Sequence, residues 1–281
     1  MRVSFTGLLL LILPALAFGQ SGAGTLAARP GEHGLWVPPN AGDERLVELD
    51  SANPGVVNPF AIDTNPLQRT PRAAGASTSD PSIKKLTLGE VPFQAWAKAL
   101  YAYRQENQLE PHTRCKPSGG PRQFLTPYGV EFLELRELQR ILIVDLGGPH
   151  TMRVIYLDGR AHPKDLEASY LGHSVGRWEG NTLVVDSVGF NERFWFDRWG
   201  LPHTDQLHIV ERFTRLDEMT LKYELTIDDA GAYTRPWTTM MPLRWNSTAE
   251  LFEYVCQDNN LAPQLMLGGS KSIDRSSTIA P

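Results

Sequence analysis

Residues 219–228, MTLKYELTID, alternate apolar and polar side chains. In an extended chain Leu221, Tyr223, Leu225 and Ile227 share one face, and Thr220, Lys222, Glu224 and Thr226 the other. A helix would scatter both sets around its circumference. The segment therefore reads as a strand with one buried and one wet face, the mark of an antiparallel sheet. Similar short runs recur at 129–135, 139–146, 152–157, 173–178, 182–188, 206–214, 233–241 and 249–256. Turn residues divide them: Asp158-Gly159 predicts a two-residue hairpin, Glu179-Gly180-Asn181 a tight connection, and Asp228 to Gly231 another. About nine short strands at regular spacing predict an antiparallel sandwich or barrel. The longest insertion, 189–203 (GFNERFWFDRWGLPH), is dense in aromatics.

What precedes the strands differs in kind. Gly7 to Ala17 (GLLLLILPALA) is an apolar core behind Arg2, and Ala17-Phe18-Gly19 follows the small-x-small cleavage pattern. Residues 1–19 thus read as a secretory signal of bacterial type, too short for a comfortable membrane helix. The mature chain would begin at Gln20 and work in the periplasm or outside the cell. Residues 20–88 are rich in Pro, Gly, Ala, Asn and Ser and predict a loosely draped segment, with local apolar spots at Leu35-Trp36-Val37 and Val56-Val57. Residues 91–108 predict one amphipathic helix, with Phe93, Trp96, Ala97, Leu100 and Tyr103 or Arg104 at helical spacing and a Trp/Leu/Tyr stripe facing the core. The folded domain then spans 90–262, and 263–281 is a flexible tail. Cys115 and Cys256 are the only cysteines. In an oxidising compartment they form a disulfide, tying the start of the domain to its last strand.

Several long motifs carry a resemblance: YLDGRAHP (156–163), GHSVGRWEGNTLVVDSVGFNERFW (172–195), LPHTDQLHIVERF (201–213), YELTIDDAGAYTRPW (223–237) and EYVCQDNN (253–260). This series resembles a large uncharacterised family of secreted bacterial proteins, over residues 90–262. The WEGNTLVVDS segment is also similar, more distantly, to strand pairs of lipocalin-like (calycin) barrels. The resemblance supports one domain, and with the strand pattern the expected fold is mainly β, an antiparallel up-and-down (lipocalin-like) barrel of about nine strands with one N-terminal helix. It implies no reaction.

The candidate chemistry gathers in LPHTDQLHIVERF. His203, Asp205 and His208 run along the entry to a strand, and imidazole with carboxylate suits acid–base work or a divalent metal such as zinc. His162, fixed beside Pro163, is the expected further ligand alongside His203 and His208. The other reading is that these rings cap turns, and it applies more strongly to His150 and His173. Glu211 shares its strand face with Ile209 and Phe213. A carboxylate there must be paired, protonated or functional, so it is either a general acid–base group or the partner of an arginine such as Arg153 or Arg177. His208 and Arg212 fall on the opposite face, so Glu211 and His208 do not share a pocket in a regular strand. Asp186 poses the same question as Glu211. Phe194, Trp195 and Trp199 in the insertion, with His162 and Arg212, are the expected ligand contacts. Gly172 to Gly176 spells GxSxG, but no strand-turn-helix context surrounds it.

A net charge of −5 supplies no basic footprint, so nucleic acid is not an expected partner. No stretch after residue 20 is apolar enough to span a membrane. Three functions remain. The first is a barrel that binds a small organic or sugar-like molecule and hydrolyses or eliminates it by acid–base or metal-assisted chemistry. The second is a non-catalytic periplasmic carrier of an apolar ligand. The third is an envelope structural or interaction protein.

Overall fold

A computed structural model describes residues 26, 34–38, 45–48, 83–147, 151–257 and 260–261. The expected signal at 1–19, Val56-Val57, His150 and the tail at 263–281 lie outside the described residues. Nine strands close into one barrel: β1 (Leu35–Val37), β2 (Val130–Leu135), β3 (Arg140–Asp145), β4 (Met152–Tyr156), β5 (His173–Glu179), β6 (Thr182–Val188), β7 (His208–Arg215), β8 (Thr220–Asp228) and β9 (Trp237–Asn246). All neighbours are antiparallel except β4 and β5, which run parallel. No helix among the described residues is long and apolar enough to cross a membrane.

The parallel pair corrects the expected hairpin at Asp158-Gly159. Parallel neighbours cannot be joined by a two-residue turn. Residues 157–172 instead cross over the outside of the barrel, and Ser169 bridges to Phe190 on the way. Gly159 does adopt the left-handed conformation, φ 75°. It turns the chain into the crossover rather than into a hairpin.

The closing strand comes from an unexpected place. Segment 249–256 is not a strand: its residues are irregular, and Phe252 is 48% exposed. The ninth strand is β1, from the segment expected to drape loosely. Its three residues pair with Arg244–Asn246 of β9, and Trp36 meets Val130 of β2. Leu26, Trp36, Leu46 and Val47 are buried in the main core. A closed barrel leaves no edge to pair with a stranger, and these short pieces complete the closure. Thr239 of β9 accepts a hydrogen bond from Leu86 N–H and donates one to the Leu46 carbonyl.

The helix α1 (Ala95–Asn107) forms where periodicity placed it, and Ala97 and Arg104 of the expected face are buried while its outer aromatics are not. Ala97, Tyr101 and Arg104 are buried, whereas Trp96 and Tyr103 are exposed. Arg104 faces inward because its guanidinium donates to the Gly200 carbonyl at 3.1 Å and lies over the Trp195 ring. Its stem supplies apolar surface on the way.

The interior is filled from two sources. Inward positions of the strands supply Phe132, Phe213 and Tyr223. The 3-10 segment Gly120–Leu125 adds Phe124, whose ring lies 4.7 Å from Tyr223 and 5.3 Å from Phe213. Gly119, φ 70°, starts that segment. A Cβ there would sit 2.3 Å from the Phe194 ring, so only glycine lets the two approach. The Cys115–Cys256 disulfide is formed, and it anchors the irregular 251–257 segment beside Pro111–Arg114.

Candidate functional site

Alternation along β7 separates the two candidates as expected. Glu211 points inward and His208 outward. Inside, Glu211 is fully buried and paired with Arg153, whose guanidinium Nη1 donates to Oε1 at 3.1 Å and whose Nη2 donates to Oε2. Tyr223 O–H donates to Oε1 at 2.8 Å. Arg153 also donates to Ser174 and Ser187, which bond each other. Every charged atom in this layer has a partner, so Arg153 is the arginine that balances Glu211. Arg177 lies on the outer face and bonds Glu179. Among the described residues its side-chain partners are Arg153 and Tyr223, the arrangement of a structural ion pair.

His203 does not join His208 or His162. It is buried beneath the aromatic insertion, with Phe194 4.1 Å and Phe196 4.9 Å away between ring centroids. Its Nε2 donates to the Phe194 carbonyl at 3.0 Å, and Nδ1 lies 3.3 Å from the Thr204 carbonyl. Burial pulls its pKa down to about 4 against the pull of those carbonyls. A neutral ring locked between backbone groups is a packing element. Asp205 is exposed in the turn before β7. The adjacent Thr204 is held by Asp229 through its N–H and its hydroxyl.

The aromatic insertion also turns inward. Phe194 and Trp195 are buried, and Trp199 carries the Arg45 guanidinium 3.4 Å above its ring. Asp197 explains why: its carboxylate accepts the N–H groups of Trp199, Gly200 and Leu201, and that of Leu46 from across the chain. The loop is pinned against the barrel, so Phe194 and Trp195 extend the core instead of lining an open pocket. Arg212 stands on the outer wall and bonds Glu179.

The side chains that do converge lie higher on that outer wall. Asp186 of β6 points outward because Ser187, its neighbour, points in to Arg153. The Asp186 Oδ1 lies 3.0 Å from His162 Nε2, and its Oδ2 lies 3.1 Å from His208 Nε2. His162 comes from the crossover. Its other nitrogen, Nδ1, is 2.8 Å from Nδ1 of His173 at the start of β5. His173 stacks on Tyr156 at 5.2 Å, and the guanidinium groups of Arg160 and Arg140 lie 3.9 Å and 5.1 Å from the Tyr156 ring centroid.

The hydrogen bonds dictate the protons. A carboxylate only accepts, so both His162 and His208 donate from Nε2. Between His162 and His173 one Nδ1 donates and the other accepts. Burial first, then His162 and Arg160, hold the His173 pKa below its ordinary value, consistent with a neutral ring. Two ring nitrogens remain without a protein partner among the described residues: His208 Nδ1 and His173 Nε2. The cluster is reachable, since the side chains of His162, Asp186 and His208 are 22%, 35% and 38% exposed.

The expected metal set of His203, His208 and His162 is not assembled, because His203 is held elsewhere. Among the described residues no group of three or more His, Cys, Asp or Glu side chains is placed to hold a metal ion. The His162 nitrogens face opposite ways, one to His173 and one to Asp186.

The molecule is thus a closed, mainly β barrel with a filled interior and a histidine–aspartate cluster on its outer wall. Comparison with family models, curated proteins and solved structures finds no match.

Proposed function

We propose that this barrel binds a small polar, sugar-like molecule against its outer wall and acts on it by acid–base chemistry, outside the cytoplasm. The observation that carries the reading is Asp186, one carboxylate gripping His162 and His208 through separate oxygens. Such a carboxylate fixes the tautomer and orientation of an imidazole and offsets the charge it gains on taking a proton. His208 keeps Nδ1 open to a substrate. Tyr156 and Arg160 flank the cluster, the cation held by Asp158, and this polar setting fits a hydroxylated ligand. The filled interior favours this seat over the barrel lumen, since an apolar cargo inside would have to displace Phe124, Phe132, Phe213 and Tyr223. The signal-like N-terminus and the Cys115–Cys256 disulfide support an oxidising location.

The test is turnover of small esters, lactones and hydroxy acids by the purified mature chain, with and without a chelator. Chelation is expected to leave turnover unchanged. Asp186→Asn and His208→Ala are each expected to lower it about 100-fold or more. Turnover lost to chelator alone, or retained in Asp186→Asn, would overturn the reading.

A further inference from the structure

We infer that His173 is a second acid–base group, working with His208 as a pair that shifts a proton between adjacent carbons of an α-hydroxy carbonyl compound. This rests on the outer-wall reading above and deepens it to a reaction class. Three observations carry it. The first is position. His173 pairs with Val188, and Ser187 pairs with Ile209, so the next rung sets Val188 beside His208. His173, Val188 and His208 therefore form one row across β5, β6 and β7. Strand spacing puts the two histidine Cα atoms about 10 Å apart, with an apolar floor between them.

The second observation is the pair of open nitrogens. His173 presents Nε2 and His208 presents Nδ1, and each ring is held by its other nitrogen. Both are oriented by the same His162–Asp186 bridge. The third is the chemistry absent beside them. Ser174 and Ser187 point into the barrel and bond Arg153, and both cysteines are in the disulfide. Among the described residues the cluster adjoins two proton carriers and no serine or cysteine nucleophile, which suits isomerisation better than acyl transfer.

The step balances without a further reactant. Neutral His173 Nε2 takes the proton from the carbon next to the carbonyl. The C–H pair becomes the C=C bond of an enediol. The carbonyl π pair moves onto oxygen, which takes the Nδ1 proton from His208 in its imidazolium form. In the return half, His208 Nδ1 removes the proton of the neighbouring hydroxyl, the carbonyl re-forms there, and His173 delivers its proton to the former carbonyl carbon. Both rings end as they began. During the cycle Asp186 faces the charged His208 ring through Nε2–H, and the lowered basicity of half-buried His173 suits it to the neutral resting form.

The probes are glyceraldehyde and dihydroxyacetone in heavy water with the full mature chain, followed by proton NMR. Parent protein is expected to exchange the α-carbon protons for deuterium and to interconvert the two compounds. His173→Gln and His208→Gln are each expected to lose at least 100-fold of that rate. No exchange above buffer in the parent, or parent-like exchange in His173→Gln, overturns the pairing. A second measurement does not depend on a variant folding: ring nitrogen shifts should show His173 as the Nδ1–H tautomer, with Nε2 bare. A His173 ring protonated at Nε2 instead would also overturn it. Ester or lactone turnover that Asp186→Asn abolishes, without deuterium exchange, would overturn the pairing and leave the broader acid–base reading standing.

Discussion

Removing either partner of the Arg153–Glu211 pair should damage this protein more than removing both. The two side chains are 1% and 0% exposed, so each charge is out of water and depends on the other. In Glu211→Leu the guanidinium keeps only Ser174 and Ser187, and Tyr223 O–H loses its acceptor. In Arg153→Met a carboxylate is left with one tyrosine. An uncompensated buried charge of this kind costs about 3–5 kcal/mol. For a domain of this size that lowers Tm by roughly 6–20 °C. In the double variant Ser174 and Ser187 still bond each other, and the remaining cost is one unsatisfied tyrosine hydroxyl, about 1–3 kcal/mol. Urea unfolding of the disulfide-intact mature chain reads all four stabilities and closes a double-mutant cycle. The expected result is two damaged single variants and a double variant closer to the parent than either. Single losses below about 1 kcal/mol that add without coupling would refute the claim that this pair is held by mutual neutralisation.

Two other predictions concern stability. His203 binds its proton less readily folded than unfolded, where the ordinary value is about 6.5, so the unfolded chain takes up more protons between pH 6.5 and 4. Its contribution is complete above pH 6.5 and falls by about 3 kcal/mol as pH drops to 4. Asp145 runs the other way: burial raises it to about 7, so its contribution is complete at pH 4 and is lost as pH rises to 7. The two slopes oppose, and Asp145→Asn should unmask the acid sensitivity of His203 in denaturation curves at pH 4, 5.5 and 7; an unchanged pH dependence would sink both assignments. Replacing Cys115 and Cys256 by serine opens a loop with a sequence separation of 141. The chain-entropy estimate is a loss of about 5 kcal/mol as an upper figure, checked by urea unfolding with and without reductant. A loss under about 1 kcal/mol would mean that strand pairing alone closes the barrel.

Much of the barrel could be read from period-two alternation. The strands 130–135, 140–145, 152–156, 173–179, 182–188, 208–215 and 220–228 all fall on short apolar-rich runs between turn residues, and 208–215 and 220–228 alternate apolar and polar faces. The opposed faces of Glu211 and His208 follow from the same rule, because a one-residue step reverses a side chain. The pairing of two cysteines needed only their number and compartment. Even the register of His173 with Val188 was within reach, since the two-residue link Gly180-Asn181 sets Glu179 opposite Thr182 and the rest follows by counting.

What alternation could not decide was the company each outward residue keeps. β6 and β7 are joined by the long 189–207 connection, so no turn geometry reveals that Ser187 meets Ile209 or that His208 reaches Asp186. His162 arrives from a crossover that exists only because β4 and β5 are parallel, and no local signal marks that choice. The same holds for β1. Leu35–Val37 is too short and too surrounded by Pro and Gly to announce a strand, and it becomes one because β9 and β2 leave a gap that it fills. Local pattern determined the strands, their faces and which residue types stood near one another in sequence. Tertiary pairing, through long connections whose closure no neighbouring residue specifies, determined that His203 is buried and that His162, His173, Asp186 and His208 stand together.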